Sequence, residues 1–394
     1  MKLLYCTMLL LISCGSDKKH TQSYNGFKEK NEGLGERIVQ IMQKNEIPGG
    51  VIGFSENENT VSLKSFGFID KENEISTQNT SRFRIASISK PITAIGILKL
   101  VEQGKLKLGD NIVELLRHGG FATENIIDSN WEKITVENLL NHTGGWVHSD
   151  YNDPMFISKQ ISKEFKIPSP PSSSAVINYM LIQSLDYEPG TRYSYSNFGY
   201  NVLGRIIEIK TGLTYGEYIQ EEVLTPLGIS NTVLGKTKLS KKFKRESQYY
   251  DFPGASKVSS VYSDENNKVP RPQGGFYLEA MDSHGGWIST AEDLLQIIDN
   301  LETILKKETI DMMLSAPKHL ETNRNNYYSM GWNVSVNNGR TVYWHTGSLP
   351  GTSATLVKFN ADTSFVALFN SRDRNFTFLN EINDVIVNHL ENRK

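Results

Sequence analysis

Cysteine is almost absent. The chain of 394 residues has two, Cys6 and Cys14, both within its first 14 positions. A disulfide framework and a cysteine-based zinc site are thereby excluded from the body of the protein. A surplus of one charge is missing too: 42 Lys+Arg stand against 44 Asp+Glu, a net charge of −2. A nucleic-acid binder carries a basic footprint, so that class is set aside. There is no Gly-x-Ser-x-Gly elbow, no His-Glu-x-x-His and no phosphate loop. The eight histidines show no metal spacing beyond His142 and His148, which read as structural or solvent-exposed. No metal and no cofactor is implied. What is present is 38% apolar and 10% aromatic residues, enough for a packed core in one large domain or two ordinary ones.

The chain opens Met1-Lys2, followed by a mostly apolar run from Leu3 to Ser13. One positive charge ahead of such a run fits a short secretory signal, whereas spanning a bilayer takes about 20 residues. The run closes Leu11-Ile12-Ser13-Cys14. This resembles the lipobox of bacterial lipoproteins, where a peptidase cuts before the cysteine and lipid is attached to its sulfur. The alternative is an ordinary signal peptide with a chance cysteine. On the lipobox reading residues 1–13 are the signal peptide, Cys14 is lipidated, and 394 − 13 = 381 residues remain. Residues 14–31 are polar and charged and read as a flexible tether. The expected location is the bacterial cell envelope, lipid-anchored on the periplasmic or surface side.

Along the body, Leu34, Ile38, Ile41 and Met42 repeat at helical spacing, and Pro48-Gly49 ends that helix. Strands follow at Val51 to Ser55 and Thr60 to Gly67, joined by a polar turn. The pattern predicts a helix from about Ser87 to Gln103, with Gly104 as its stop, and further helices at Val136 to Leu140, Tyr200 to Thr211 and Thr290 to Leu301. Residues 148–174 and 246–275 read as loops, rich in proline, glycine or serine. Six positive charges in 236–245 read as a solvated face. Near the C-terminus Trp332, Val334 and Val336 alternate, Asn338-Gly339 makes a tight hairpin turn, and Thr341 to His345 returns. A second hairpin joins Thr352 to Phe359 with Ser364 to Asn370, and a last helix aligns Leu379, Ile382, Val385, Ile386 and Leu390. Strands at both ends and helices between imply one antiparallel sheet built from both termini with a helical region inserted, an α/β (α+β) domain over 32–394. Its sheet part is expected at about 32–95 and 325–394, its helical part at about 96–324.

The chemistry is carried by three short motifs. Ser87-Ile88-Ser89-Lys90 places a hydroxyl and an amine one helical turn apart, about 5–6 Å between their Cβ atoms. At a helix start, the macrodipole favours negative charge on the serine oxygen. The same field, with burial, disfavours a protonated lysine, so Lys90 can act as a base. The tetrad also occurs at Ser16/Lys19 and Ser315/Lys318, but only Ser87 opens a long helix with an apolar face, formed by Ile88, Ile92 and Ile95. Tyr195-Ser196-Asn197 is the only Tyr-x-Asn among 17 tyrosines. A phenol can relay a proton if positive neighbours lower its pKa. His-Thr-Gly occurs twice, and of His142-Thr143-Gly144 and His345-Thr346-Gly347 only the second lies on a strand.

In this order, Ser87-x-x-Lys90, Tyr195-x-Asn197 and His345-Thr346-Gly347 resemble the three motifs of the serine β-lactamase and penicillin-binding superfamily. The Tyr-x-Asn motif is similar to the class C branch, with its D,D-peptidases, D-aminopeptidases and esterases. Phe83 to Ala86, Leu139 to Thr143, Glu188-Pro189-Gly190, Gly285 to Leu294 and Gly331-Trp332 agree with it. The likeness spans about residues 32–391. Two departures stand out: His345 occupies a position where many β-lactamases have lysine, and Gly144-Gly145 stands where Thr-Ser-Gly is more usual.

The resemblance implies a β-lactamase-like fold and an envelope serine hydrolase working through an acyl-enzyme on D-amino-acid peptides, amides, esters or β-lactams. It makes Ser87 the nucleophile and Lys90 its proton acceptor, with Tyr195 carrying a proton to the leaving group. Asn197 then orients the substrate amide and Lys90, while His345, Thr346 and Gly347 line the substrate strand. The N–H groups of Ser87 and Ser348 form the oxyanion hole. Expected partners are a small-molecule or peptide substrate and, through the anchor, a membrane. Specificity is expected in loops 148–174 and 246–275. The alternative is a non-hydrolytic penicillin-binding or sensor lipoprotein. A histidine has a reference pKa near 6.5, so His345 is expected to hold a substrate carboxylate weakly at pH 7 and better toward pH 6.

Because Cys14 closes the apolar run, Cys14→Ser is expected to release soluble, still active protein from a membrane fraction. Fractionation with intact mass checks this, and a wild-type chain found soluble and cleaved elsewhere refutes the anchor.

Overall fold

The structure is a computed structural model and describes residues 33–57, 60–148, 152–317 and 325–393. The signal peptide, Cys14, the tether and the Ser16/Lys19 tetrad lie outside the described residues.

Leu34, Ile38 and Met42, spaced by four, give helix α1 (Leu34–Lys44) one buried stripe. Strand β1 (Gly49–Glu56) is buried along nearly its whole length, as a central strand covered on both faces must be. It pairs with β2 (Thr60–Asp70), which continues to the short β3 (Ile75–Ser76). The remaining strands come from the other end of the chain: β4 (Asn326–Ser329), β5 (Trp332–Asn337), β6 (Arg340–Leu349), β7 (Thr352–Lys358) and β8 (Thr363–Phe369). The eight-stranded sheet runs β3-β2-β1-β8-β7-β6-β5-β4, and every neighbouring pair is antiparallel. Between β5 and β6, Asn338 and Gly339 have φ of 52° and 76°. Both central turn residues are left-handed there, as the tight hairpin expected from Asn-Gly requires. The two ends of the chain meet at β1 and β8, where Val51 lies opposite Leu368.

Between the two sets of strands come α2 (Ser89–Glu102), α3 (Val136–Leu140), α4 (Asn197–Thr211) and α5 (Ala291–Asp299), with α6 (Phe378–Glu391) last. One face of the sheet is covered by α1 and α6, which enclose Ile52, Phe54, Phe365 and Phe369. Phe378 meets Phe369 edge to face at 4.8 Å between centroids. Each such buried side chain contributes about 1.5–3 kcal/mol. The opposite face meets the inserted region, with Ile92, Ile95, Leu203, Leu294 and Val366 in one continuous core.

Three expectations are corrected. Helix α2 is not amphipathic: Ile92, Ala94, Ile95, Ile97, Leu98 and Leu100 are all buried, so it is the central helix of the insertion rather than a surface one. Segment 148–174 is not all loop, since Ser158–Phe165 is helical and another helix begins at Ser173. Pro168, Pro170 and Pro171 lie after that first helix, and Lys166 in the left-handed region (φ 54°) stops it. The inserted region is mostly helical, as expected, and carries short strands besides. Trp287–Ser289 pairs with Val233–Leu234 and, from outside the insertion, with Phe83–Arg84 just ahead of Ser87 in a small antiparallel sheet, and Val258–Ser259 pairs with Lys268–Val269. The basic run is not simply solvated: Lys238 is paired with Glu265 at 2.8 Å, and burial pushes Lys242 down to about 8.

Candidate active site

Ser87 sits in a single 3-10 turn, Ala86–Ile88, that leads into α2. Ala86 takes a positive φ of 46°, a conformation that costs a non-glycine residue about 1–3 kcal/mol. Lys90, one turn on, is completely buried. Its Nζ lies 3.2 Å from Ser87 Oγ, 2.7 Å from Asn197 Oδ1 and 2.9 Å from the backbone carbonyl of His284. Burial pushes this amine down to about 7, with the Asp153 carboxylate pulling partly against it.

The Tyr-x-Asn motif is delivered by the start of α4. Ser196 caps that helix by accepting from the Gly199 N–H at 3.1 Å, which makes Asn197 its first residue. The Ser196 N–H in turn donates to Nδ1 of His142 at 3.1 Å. Of the two readings, structural or solvent-exposed, His142 takes the structural one. It is fully buried under the site, with Tyr195, Tyr200 and Tyr328 at ring-centroid distances of 4.3, 5.1 and 4.5 Å. The Tyr195 phenol is hydrogen-bonded with Ser87, and the Lys90 ammonium position lies 4.7 Å from the Tyr195 ring centroid. Its pKa is not lowered, as a relay through positive neighbours requires. Burial raises it well above the usual phenol value, and the Ser87 hydrogen bond offsets only part of this. The phenol is thus a proton donor at neutral pH.

Strand β6 supplies the third motif. His345 and Gly347 are buried, while Thr346 and Ser348 between and after them are exposed, the alternation a strand imposes. Gly347 is pressed on the Ser87 turn: a Cβ there would fall 2.1 Å from the Ile85 carbonyl oxygen and 3.2 Å from Ala86 Cβ. His345 donates from Nδ1 to the Thr346 carbonyl at 2.6 Å, leaving Nε2 to accept from the Tyr328 hydroxyl at 3.2 Å. Burial, and then Lys90, push His345 down to about 3. The expectation that it charges toward pH 6 is therefore overturned, because burial in low dielectric outweighs everything near it.

Sequence reasoning missed Asp153, whose Oδ2 accepts from Asn197 Nδ2 at 2.7 Å. It also missed Tyr328 and the His284 carbonyl. The motifs that found the other residues are local, and these three contacts are not. The two loops expected to set specificity touch each other through Ser169, whose hydroxyl donates to the Val261 carbonyl and whose carbonyl accepts from Ser263. The second loop is fastened behind Ser87 by Tyr249, whose hydroxyl accepts from the Arg84 N–H at 3.0 Å. Among the described residues no group of three His, Cys, Asp or Glu side chains is placed to hold a metal, and no helix is long and apolar enough to cross a membrane.

The fold that brings together a serine on a strained turn, a buried amine, a phenol and a strand edge recurs in solved structures. A D-amino acid amidase from Ochrobactrum anthropi SV3 superposes with a TM-score of 0.69 at 21% identity, covering 91% of this chain and 97% of its own. A penicillin-binding protein from Bacillus halodurans gives 0.68 at 22%, covering 89% and 98%. In sequence, protein flp of Staphylococcus aureus (strain N315) is 27% identical over 356 residues, 89% of this chain but 66% of the relative's length. A penicillin-binding protein of Bacillus subtilis (strain 168) is 27% identical over 341 residues, covering 84% and 70%. The Beta-lactamase family model matches residues 34–387, and the chain belongs to that family, within the serine β-lactamase and penicillin-binding superfamily.

Replacing Gly347 by alanine is expected to push β6 off the Ser87 turn. A misplacement of about 1 Å costs about 10²-fold in rate, so Ser87 labelling by a fluorophosphonate should fall by that order while the circular dichroism is retained. Undiminished labelling would show that the strand edge and the turn are not locked together.

Proposed function

We propose that this protein is an envelope-anchored serine hydrolase of the class C β-lactamase and D,D-peptidase type, cleaving amides or esters through an acyl-enzyme on Ser87. The observation that carries the reading is a completely buried amine, deprotonated from about pH 7, held 3.2 Å from the Ser87 hydroxyl. In acylation, Lys90 takes the Ser87 proton and Oγ attacks the substrate carbonyl. The oxyanion is received by the N–H groups of Ser87 and Ser348, donors worth about 2.7–4 kcal/mol each. Tyr195, kept protonated by burial, gives its proton to the leaving group and regains one from Lys90. Water then frees the acyl group, with the same pair returning the proton to Ser87. The neighbouring fold of a D-amino acid amidase supports an amide as one substrate class.

The neutral His345 supports a second element of the reading. It offers no fixed positive charge to a substrate carboxylate, so uncharged amides and esters are favoured over carboxylate-bearing β-lactams. Lipid attachment at Cys14 would hold the enzyme at the envelope, where D-amino-acid peptides occur.

Ser87→Ala should abolish fluorophosphonate labelling and turnover of a p-nitrophenyl ester. In the wild type, acylation should be slow where Lys90 is protonated and climb to a plateau as pH rises through about 7. A flat profile from pH 5 to 9 would remove Lys90 as the base. His345→Lys should raise kcat/KM for a penicillin relative to a neutral ester. For the wild type, KM for the penicillin should show no His345-dependent trend between pH 6 and 8. A wild type that already prefers penicillins by a wide margin would overturn the argument from His345.

A further inference from the structure

The buried carboxylate of Asp153 has no part in the steps above. It belongs to segment 148–174, is 7% exposed, and is fixed by its own turn, with Oδ1 accepting from the Met155 N–H at 2.9 Å. Its other oxygen, Oδ2, receives Nδ2 of Asn197 at 2.7 Å. The opposite end of the same amide, Oδ1, contacts Lys90 Nζ at 2.7 Å.

An ionised carboxylate only accepts hydrogen bonds, and an amide has one donating and one accepting end. Asp153 therefore dictates which end of Asn197 faces the lysine: it must be the oxygen. A neutral lysine amine carries two N–H bonds and one lone pair. With Asn197 Oδ1 and the His284 carbonyl, at 2.7 and 2.9 Å, taking the two N–H bonds, the lone pair is left for the third neighbour, Ser87 Oγ at 3.2 Å. Were Asn197 turned over, its NH2 would occupy the lone pair, and an N–H of Lys90 would be aimed at Ser87 instead.

We propose that Asp153 is a positioning residue of the hydrolase: by fixing the orientation of the Asn197 amide, it aims the lone pair of Lys90 at the nucleophile. The inference rests on the reading of Lys90 as the base.

Asp153 also acts on Lys90 through its charge. The groups around the amine from the other elements are the imidazoles of His142, His284 and His345 and the phenols of Tyr195 and Tyr200. The imidazoles are all held below their usual range by burial, and the two phenols above theirs, so all are neutral at pH 7. Facing Asp153 from its own segment is His148, lowered by burial and raised in part by Asp153 and Asp186. Asp153 thus supplies the carboxylate that favours the protonated lysine, and removing it lowers the pKa of Lys90.

The two effects separate by experiment. Acylation of the full-length protein by a p-nitrophenyl ester is followed against pH in wild type, Asp153→Asn, Asp153→Ala, Asn197→Ala and the double variant Asp153→Ala/Asn197→Ala. Thermal melts check that each is folded. An opposite charge at close range shifts a pKa by about 1–3 units, so in both Asp153 variants the acidic limb should move to lower pH by about one unit. The plateau rate should fall by about tenfold or more in Asp153→Ala, because Asn197 turns freely. In the Asn197→Ala background the same substitution should no longer lower the plateau, since there is no amide left to orient. A purely structural role would lower it equally in both backgrounds, and that result, or variants with wild-type limb and plateau, would overturn the proposal. A wild type that never carries an acyl group on Ser87, or has no limb near pH 7, would instead overturn the hydrolase reading beneath it.

Discussion

One buried amine, its pKa brought down to about 7, organises this molecule. Lys90 has no exposed surface, and the cost of an ammonium in such a place is what brings its pKa to the working range. That condition reaches outward. Three imidazoles lie close enough to feel the lysine, and none can be protonated beside it. The space around Ser87 is consequently poor in fixed positive charge, although it is lined by histidines. Asn197 and a backbone carbonyl give the amine its hydrogen bonds, so its burial leaves no polar group unmatched.

The amine must also be presented to something, and the fold does this by forcing three elements into contact. The serine turn holds a non-glycine residue at positive φ, and the only side chain that tolerates the facing strand is no side chain at all, at Gly347. The start of α4 is pinned from below by His142 through the Ser196 N–H, which sets where Tyr195 and Asn197 point. Apolar contact between α2, α4 and the sheet face then makes the joint stiff.

Much of this was legible in the chain itself, and the reason is locality. Ser87 and Lys90 share one helical turn, Tyr195 and Asn197 flank a helix cap, and Asn338-Gly339 can make little but a tight hairpin. Strand-rich ends around a helical middle were enough for the sheet. What escaped depended on partners far apart in sequence. Asp153 reaches Asn197 across 44 positions from a stretch without periodicity. The His284 carbonyl carries no trace of identity, because every residue has one. His345 is neutral at pH 7 as expected, but its charging toward pH 6 was misjudged, because strand alternation shows which way a side chain faces and not how thoroughly it will be covered.

The closure of the sheet has a further consequence, for the order in which the site comes into being. Gly49 donates to Asn370 from 321 residues away, and β1 finds its second neighbour only when β8 exists. A chain emerging from the ribosome therefore carries its serine and lysine long before it has the strand that walls the cleft. Pairings this distant form late and slowly, and until then β1 exposes an apolar edge open to wrong partners. The cleft is complete only once β6, β7 and β8 have been laid down beside β1.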